Sequence, residues 1–167
     1  MSKTQENLKA AFAGESQANR KYLAFAKVAE KEGKQNLAKL FRAVAEGETV
    51  HALKHLANLD VVKGSVENVK AALAGETYEI ESMYPGFITD AENEGEGAAK
   101  IGFFGANEVE KTHQKKFSEA LSQIEGGSDI AEQKYFVCQV CGQLEIGEAP
   151  ENCPICNSPK KVFTLIE

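Results

Sequence analysis

Two four-residue patterns constrain this chain more than any other feature: Glu48-x-x-His51 and Glu110-x-x-His113. Residues three apart share one side of a helix. Each pattern therefore sets a carboxylate beside an imidazole, provided its segment is helical. Both segments have that period. In one, steps of three and four pass through Leu37, Phe41, Val44, Glu48, His51 and His55. In the other they pass through Ala99, Phe103, Ala106, Glu110, His113, Phe117, Leu121 and Ile124. Such stripes are the buried faces of amphipathic helices. A lone Glu-x-x-His is ordinarily a solvated face. Two of them, each embedded in an apolar stripe, are not explained that way.

Two further segments each carry a single acid in a comparable setting. Glu15 interrupts the stripe Leu8, Phe12, Asn19, Tyr22, Ala26, Ala29, and Glu79 precedes Met83 and Phe87. Burying four ionised glutamates costs several kcal/mol or more each, roughly, unless they are neutralised. Four carboxylates and two neutral imidazoles around two divalent cations sum to zero charge. The set of two single-Glu helices and two Glu-x-x-His helices is the di-metal ligand pattern of ferritin-like four-helix bundles. Carboxylate with imidazole suits iron or manganese. His55 has Ala52 three residues before it and reads as a core histidine. Tyr22 shares the face of Glu15 and is a candidate hydrogen-bond partner for a ligand carboxylate.

The helices are expected over about 3–32, 34–60, 75–94 and 98–125. Gly33 is expected to end the first. Ser65 is expected to cap a short helix reaching Leu73, with Glu67 in its first turn. Tyr84-Pro85 interrupts the third helix, where a proline removes a hydrogen bond and kinks the chain. Gly126-Gly127-Ser128-Asp129 is the strongest linker signal in the sequence. The expected division is a bundle over residues 1–127, a linker over 128–133 and a small β-leaning domain over 134–167. The fold class is thus mainly α, a ferritin-like bundle followed by a small metal domain.

All four cysteines fall in that last part: Cys138, Cys141, Cys153 and Cys156. Two Cys-x2-Cys knuckles in a reducing compartment point to one tetrahedral metal rather than to two disulfides. Both iron and zinc fit four thiolates. So short a segment needs a metal as its staple. The chain has a net charge of −6 and a pI near 5.2, which argues against nucleic-acid binding. The start, MSKTQENLKAAF, holds no long apolar run, so neither a leader nor a membrane span is expected, and the expected location is the cytoplasm.

The motifs AFAGESQANRKY, AEGETVHA, GETYEIESMYP, EVEKTH, VCQVCG and CPIC together resemble the rubrerythrins, over nearly the whole chain. The resemblance implies a ferritin-like di-iron domain joined to a rubredoxin-like domain with one iron in four thiolates. It implies a peroxidase that reduces hydrogen peroxide to water, fed by a reductase or a separate rubredoxin. It further implies a homodimer in which the rubredoxin-like iron of one subunit serves the di-iron site of the other. Carried over by motif, the ligands are Glu15, Glu48, Glu79, Glu110 and His113, with His51 binding in the reduced state and Glu48 and Glu110 bridging.

One position departs from the family pattern. Rubrerythrins have a second glutamate three residues after the one at Glu79, and here that position is Ser82. Glu81 is two residues on, about 200° around a helix, and points elsewhere. The expectation is that His51 stays bound in both redox states or that water takes the vacant place. The competing functions are a ferroxidase or dioxygen-reducing di-iron protein and a non-catalytic metal protein with structural zinc.

Overall fold

The structure is a computed structural model and describes residues 2–167. Its elements are α1 (Lys3–Lys31), α2 (Gln35–Leu59), α3 (Ser65–Tyr78), a π turn (Glu79–Met83), α4 (Tyr84–Asn93), α5 (Gly97–Ile124), β1 (Tyr135–Cys138), β2 (Leu144–Ile146), a 3-10 turn (Lys160–Val162) and β3 (Phe163–Ile166). The chain forms two compact units, residues 1–63 and 64–167.

The first unit is the hairpin of α1 and α2. Ser2 caps α1 through a reciprocal pair of bonds with Gln5. Gly33 ends the helix as expected: at φ +76° it lets Lys34 N–H reach Ala29 O at 2.8 Å, a left-handed stop that only glycine adopts without strain. Just before the turn the two helices approach through alanines. Ala26, Ala29 and Ala38 are buried, with Phe41 packed against them. Tyr22, Phe25 and Phe41 pack together with ring centroids 5.6–6.3 Å apart, Tyr22 stacked on Phe41 and Phe25 edge-on to Phe41. Further along, Asn19 Nδ2 donates to Ala45 O at 2.7 Å and to Thr49 Oγ1 at 2.9 Å. That side chain pins the register of α1 on α2 one turn from Glu15.

The second unit begins earlier than the sequence suggests. Gly64, not Ser65, precedes the first helical residue, and its N–H donates to Glu67 Oε2 at 3.1 Å. The helix that starts there does not stop near Leu73. It runs through α3, the π turn and α4 to Asn93. The expected break at Pro85 is absorbed instead of expressed. Tyr84 N–H bonds to Glu79 O, five residues back, and the widened turn delivers Pro85 to the first turn of α4, where its missing N–H costs nothing. At the next turn Gly95 takes φ +76° and Glu96 N–H reaches Ala91 O at 2.9 Å. Helix α5 then runs back along α3 and α4. Tyr84, Phe87 and Phe103 pack there, the counterpart of the aromatic group in the first unit.

After α5 the chain forms a three-stranded antiparallel sheet of order β2-β1-β3. It belongs to the same compact unit as α3–α5. The change from helix to sheet thus falls near the glycine linker, whereas the compact units divide at residues 63 and 64.

Candidate metal centre

Each unit gathers one group of metal-ligating side chains from its helices. In the first, Glu15, Glu48 and His51 bring one donor atom each within 4.8 Å of one another. His51 Nδ1 lies 3.0 Å from Glu48 Oε2 and 4.0 Å from Glu15 Oε1. The i, i+3 spacing on α2 sets the first distance, and the Asn19 clamp sets the second by fixing α1 against α2. The Glu48 carboxylate is mostly covered, while the His51 ring is 60% exposed.

In the second unit the group is Glu76, Glu110 and His113. His113 Nδ1 meets Glu110 Oε2 at 2.6 Å, repeating the α2 arrangement on α5. The register of α3 on α5 is held by Gln114 Nε2 donating to Thr77 Oγ1 at 2.8 Å, with the Thr77 hydroxyl donating to Leu73 O. Glu79 lies outside the tight trio, although the charges of Glu110 and His113 still act on it. Burial first, then Glu110, raises its carboxyl above the ordinary value.

Glu76 is the residue that reading the sequence missed. It precedes Glu79 by three and so shares that face, but it falls in the first turn of the helix expected from residue 75, where an acid is ordinary. Burial, then a hydrogen bond with Glu110 and the repulsion of that carboxylate, pushes the Glu76 carboxyl up to about 7. Two crowded carboxyl groups must either share a proton or bind a cation. This crowding is what a cation site requires, and the donors present fit iron. Tyr84 is a second residue the sequence did not single out. Burial and the charges of Glu110, Glu79 and Glu76 raise its pKa, so its hydroxyl stays protonated. Two expected participants sit elsewhere. Tyr22 spends its ring on Phe25 and Phe41. Ser82 is exposed and borders a groove with Lys70, Leu73, Thr77, Tyr78 and Glu81.

The four cysteines converge as their spacing predicts. Their sulfurs all lie within 4.8 Å, with Cys138 to Cys156 at 3.7 Å and Cys141 to Cys153 at 3.5 Å. A tetrahedral site with bonds of about 2.3 Å separates its sulfurs by about 3.8 Å, so the cradle has the right size. The two knuckles are built alike. Gly142 N–H donates to Cys138 O and Asn157 N–H to Cys153 O, both at 2.9 Å. Gly142 at φ +86° and Asn157 at φ +57° make the left-handed turn that frees each second cysteine to face the metal. Burial holds the Cys141 thiol well above its usual value; at Cys156 burial also raises the thiol, but hydrogen bonds with Ser158, Cys141 and Cys153 outweigh it and bring it down to about 6. A metal would replace the protons among them.

The two kinds of site adjoin within the second unit. His113 turns Nδ1 to Glu110 and Nε2 to the carbonyl of Gly142, 3.3 Å away. Gly142 follows Cys141 directly, and Val109 on α5 stands where a Cβ added at Gly142 would touch it. The rubredoxin-like part therefore rests on α5 of its own chain, with one peptide and one hydrogen bond between a cysteine ligand and His113.

The family profile described as Rubrerythrin matches residues 6–121, and that of the rubrerythrin rubredoxin-like domain matches residues 136–164. The chain belongs to the rubrerythrin family. It is 37% identical to nigerythrin of Nitratidesulfovibrio vulgaris over 175 residues, covering 96% of this chain and 85% of that one. It is 35% identical to a rubrerythrin of Porphyromonas gingivalis, covering 97% and 89%. The solved structure titled fully reduced state of nigerythrin (all ferrous) matches with a TM-score of 0.58 at 34% identity, covering 99% of this chain and 88% of that one. Like its family, this chain is an iron protein, with Glu/His groups of the kind that hold a di-iron site and four cysteines of the kind that hold a rubredoxin-like iron. Among the described residues no helix is long and apolar enough to cross a membrane.

Proposed function

We propose that this rubrerythrin reduces hydrogen peroxide to water at a di-iron centre held by Glu15, Glu48, His51, Glu79, Glu110 and His113. The observation that carries the reading is the His113–Gly142 contact. It ties a thiolate iron, which only transfers electrons, to a carboxylate site able to spend them. A storage or structural role gives no reason for that juncture. Reduction of one peroxide consumes two electrons and two protons, and the bound irons supply the electrons.

The protein's own groups supply the rest. The hydroxyl of Tyr84, kept protonated by burial and the charge of Glu110, holds a proton beside the site. Glu76 answers the loss at Ser82, offering the additional carboxylate one turn before Glu79 instead of one turn after it. His113 orients toward Glu110 through Nδ1 while Nε2–H donates to the Gly142 carbonyl, which fixes its ring. An electron-donating reductase or rubredoxin would dock at the four-cysteine end, where Val140 and Ile101 are exposed beside Cys141. A cytoplasmic homodimer is the expected working form.

The test is peroxide consumption with a saturating donor. The full-length iron-loaded protein should consume peroxide far faster than it consumes dioxygen, and Glu110→Ala should lose that activity by about a hundredfold or more. Equal rates with peroxide and air would favour the oxidase reading, and full turnover by Glu110→Ala would contradict the site.

A further inference from the structure

Where the sheet meets α5 the packing leaves a gap, and the sequence says why. Alternate residues of a strand share a face. Tyr135 and Val137 on β1 therefore lie with Leu144 and Ile146 on β2, in the register that pairs Val137 with Leu144 and Tyr135 with Ile146. On α5, steps of three and four from His113 lead to Lys116, Phe117 and Ala120. Ala120 brings only a methyl group to the place where the sheet arrives. The space left is a cavity of about 320 Å³, walled by Phe117, Ala120, Ile130, Tyr135 and Leu144 and reaching Glu76 and His113. Seven residues of helix separate His113 from Ala120, about 10 Å, so the cavity runs from the ligand groups outward to the linker. The linker forms its outer wall. Ala131 N–H donates to Gln123 Oε1 at 3.2 Å, which holds Ile130, 36% exposed, at the far end.

Size and charge say what such a space would hold. Hydrogen peroxide, with two oxygen atoms, needs about the room of two waters, about 60 Å³. The cavity is several times larger and reaches the range of small-ligand pockets, which begins at about 300 Å³. Apart from the Tyr135 hydroxyl, its walls away from the ligand end are hydrocarbon. Lys116 lines it as well, but its ammonium is engaged by Glu119 at 2.9 Å, so an anionic group finds no free partner there. The shape suits an uncharged apolar group attached to atoms that react at the Glu76 and His113 end.

We propose that this cavity receives the alkyl or aryl group of an organic hydroperoxide, so that uncharged organic hydroperoxides are substrates of the di-iron centre alongside hydrogen peroxide. This rests on the peroxidase reading above. The reaction is ROOH + 2 e− + 2 H+ → ROH + H2O. The O–O bond breaks and each oxygen takes up one proton. The two electrons come from the reduced irons and are replenished by the external donor through the four-cysteine centre. The outer oxygen leaves as water. The inner oxygen leaves as an alcohol, whose organic group departs along the cavity past Ile130.

Cumene hydroperoxide is the probe, with the iron-loaded full-length protein and a saturating electron donor. Its consumption should match the formation of cumyl alcohol one to one. Ala120→Trp fills the cavity from α5, and Ile130→Trp fills it from the linker. Each should lower the ratio of kcat/KM for cumene hydroperoxide to that for hydrogen peroxide by about tenfold or more. A second readout does not depend on turnover. Cumyl alcohol should bind the resting protein at one site per chain, measured by calorimetry, and either substitution should abolish that binding. Should Ala120→Trp fail to fold, seen as lost helicity, Ile130→Trp gives the same two readouts from an exposed position. Consumption of hydrogen peroxide without turnover of cumene hydroperoxide would overturn the role of the cavity and leave the peroxidase standing. A rate ratio and an alcohol affinity untouched by the substitutions would overturn it equally. If neither peroxide is consumed, the peroxidase reading falls and the cavity's role with it.

Discussion

Glu76 is where residue-scale chemistry most changes the picture. Ser82 leaves the family's usual second carboxylate missing, and the exposed position of Ser82 gives it nothing to coordinate. Glu76 instead stands with Glu110 and His113. Glu76→Gln should therefore weaken iron binding at the di-iron site by about tenfold or more, whereas Ser82→Ala should leave it unchanged; iron titration followed by the di-iron absorption separates the two. The same carboxyl gives the metal-free protein a pH signature. Its folded pKa, about 7, lies above the ordinary 4.5. Between those values the folded state keeps a proton that the unfolded state has released. Its contribution is full below pH 4.5 and is lost as pH rises through 7. Thermal melts of metal-free protein should show the helical transition moving down across this window, and Glu76→Gln should flatten that trend.

Among the elements, the knuckles and the π turn differ in how legible they were. The four-cysteine site could be read in full, since Cys-x2-Cys spacing is local and Gly142 follows the first knuckle at the place where a positive φ is needed. Gly142→Ala should cost about 1–2 kcal/mol at that φ, visible as a lower melting temperature of the rubredoxin-like part and a more labile red centre, while Asn157→Gly should be tolerated. The six proposed di-iron ligands were legible for a different reason: two Glu-x-x-His pairs and two single glutamates, all set in apolar stripes, are not explained together as solvated faces. The π turn was not legible. Proline at position 85 announces a disturbance, but whether the helix kinks or widens depends on packing against α5, which the local sequence does not encode. The continuous run from Ser65 to Asn93 was hidden by the same proline and by Gly75, which set Glu76 at the start of an expected helix instead of within a longer one.

At the scale of the whole molecule, the sequence divides at its glycine-rich linker, while the folded chain divides at Gly64. Linker composition reports where backbone is free. It does not report which helices pack together, because that depends on distances between distant stripes. The consequence is functional. On the proposed reading, a four-cysteine site resting on α5, with Gly142 touching His113, makes the second unit an electron-delivery half. The proposed peroxidase requires electrons to pass from the thiolate iron to peroxide through that half. The most direct measurement is a single turnover: the iron-loaded protein is fully reduced without air, one equivalent of hydrogen peroxide is added, and the visible band of the ferric thiolate centre is followed. The band should return promptly, and should fail to return in Glu110→Ala. A thiolate centre that stays reduced while peroxide persists, or that reoxidises equally fast in the variant, would contradict the account.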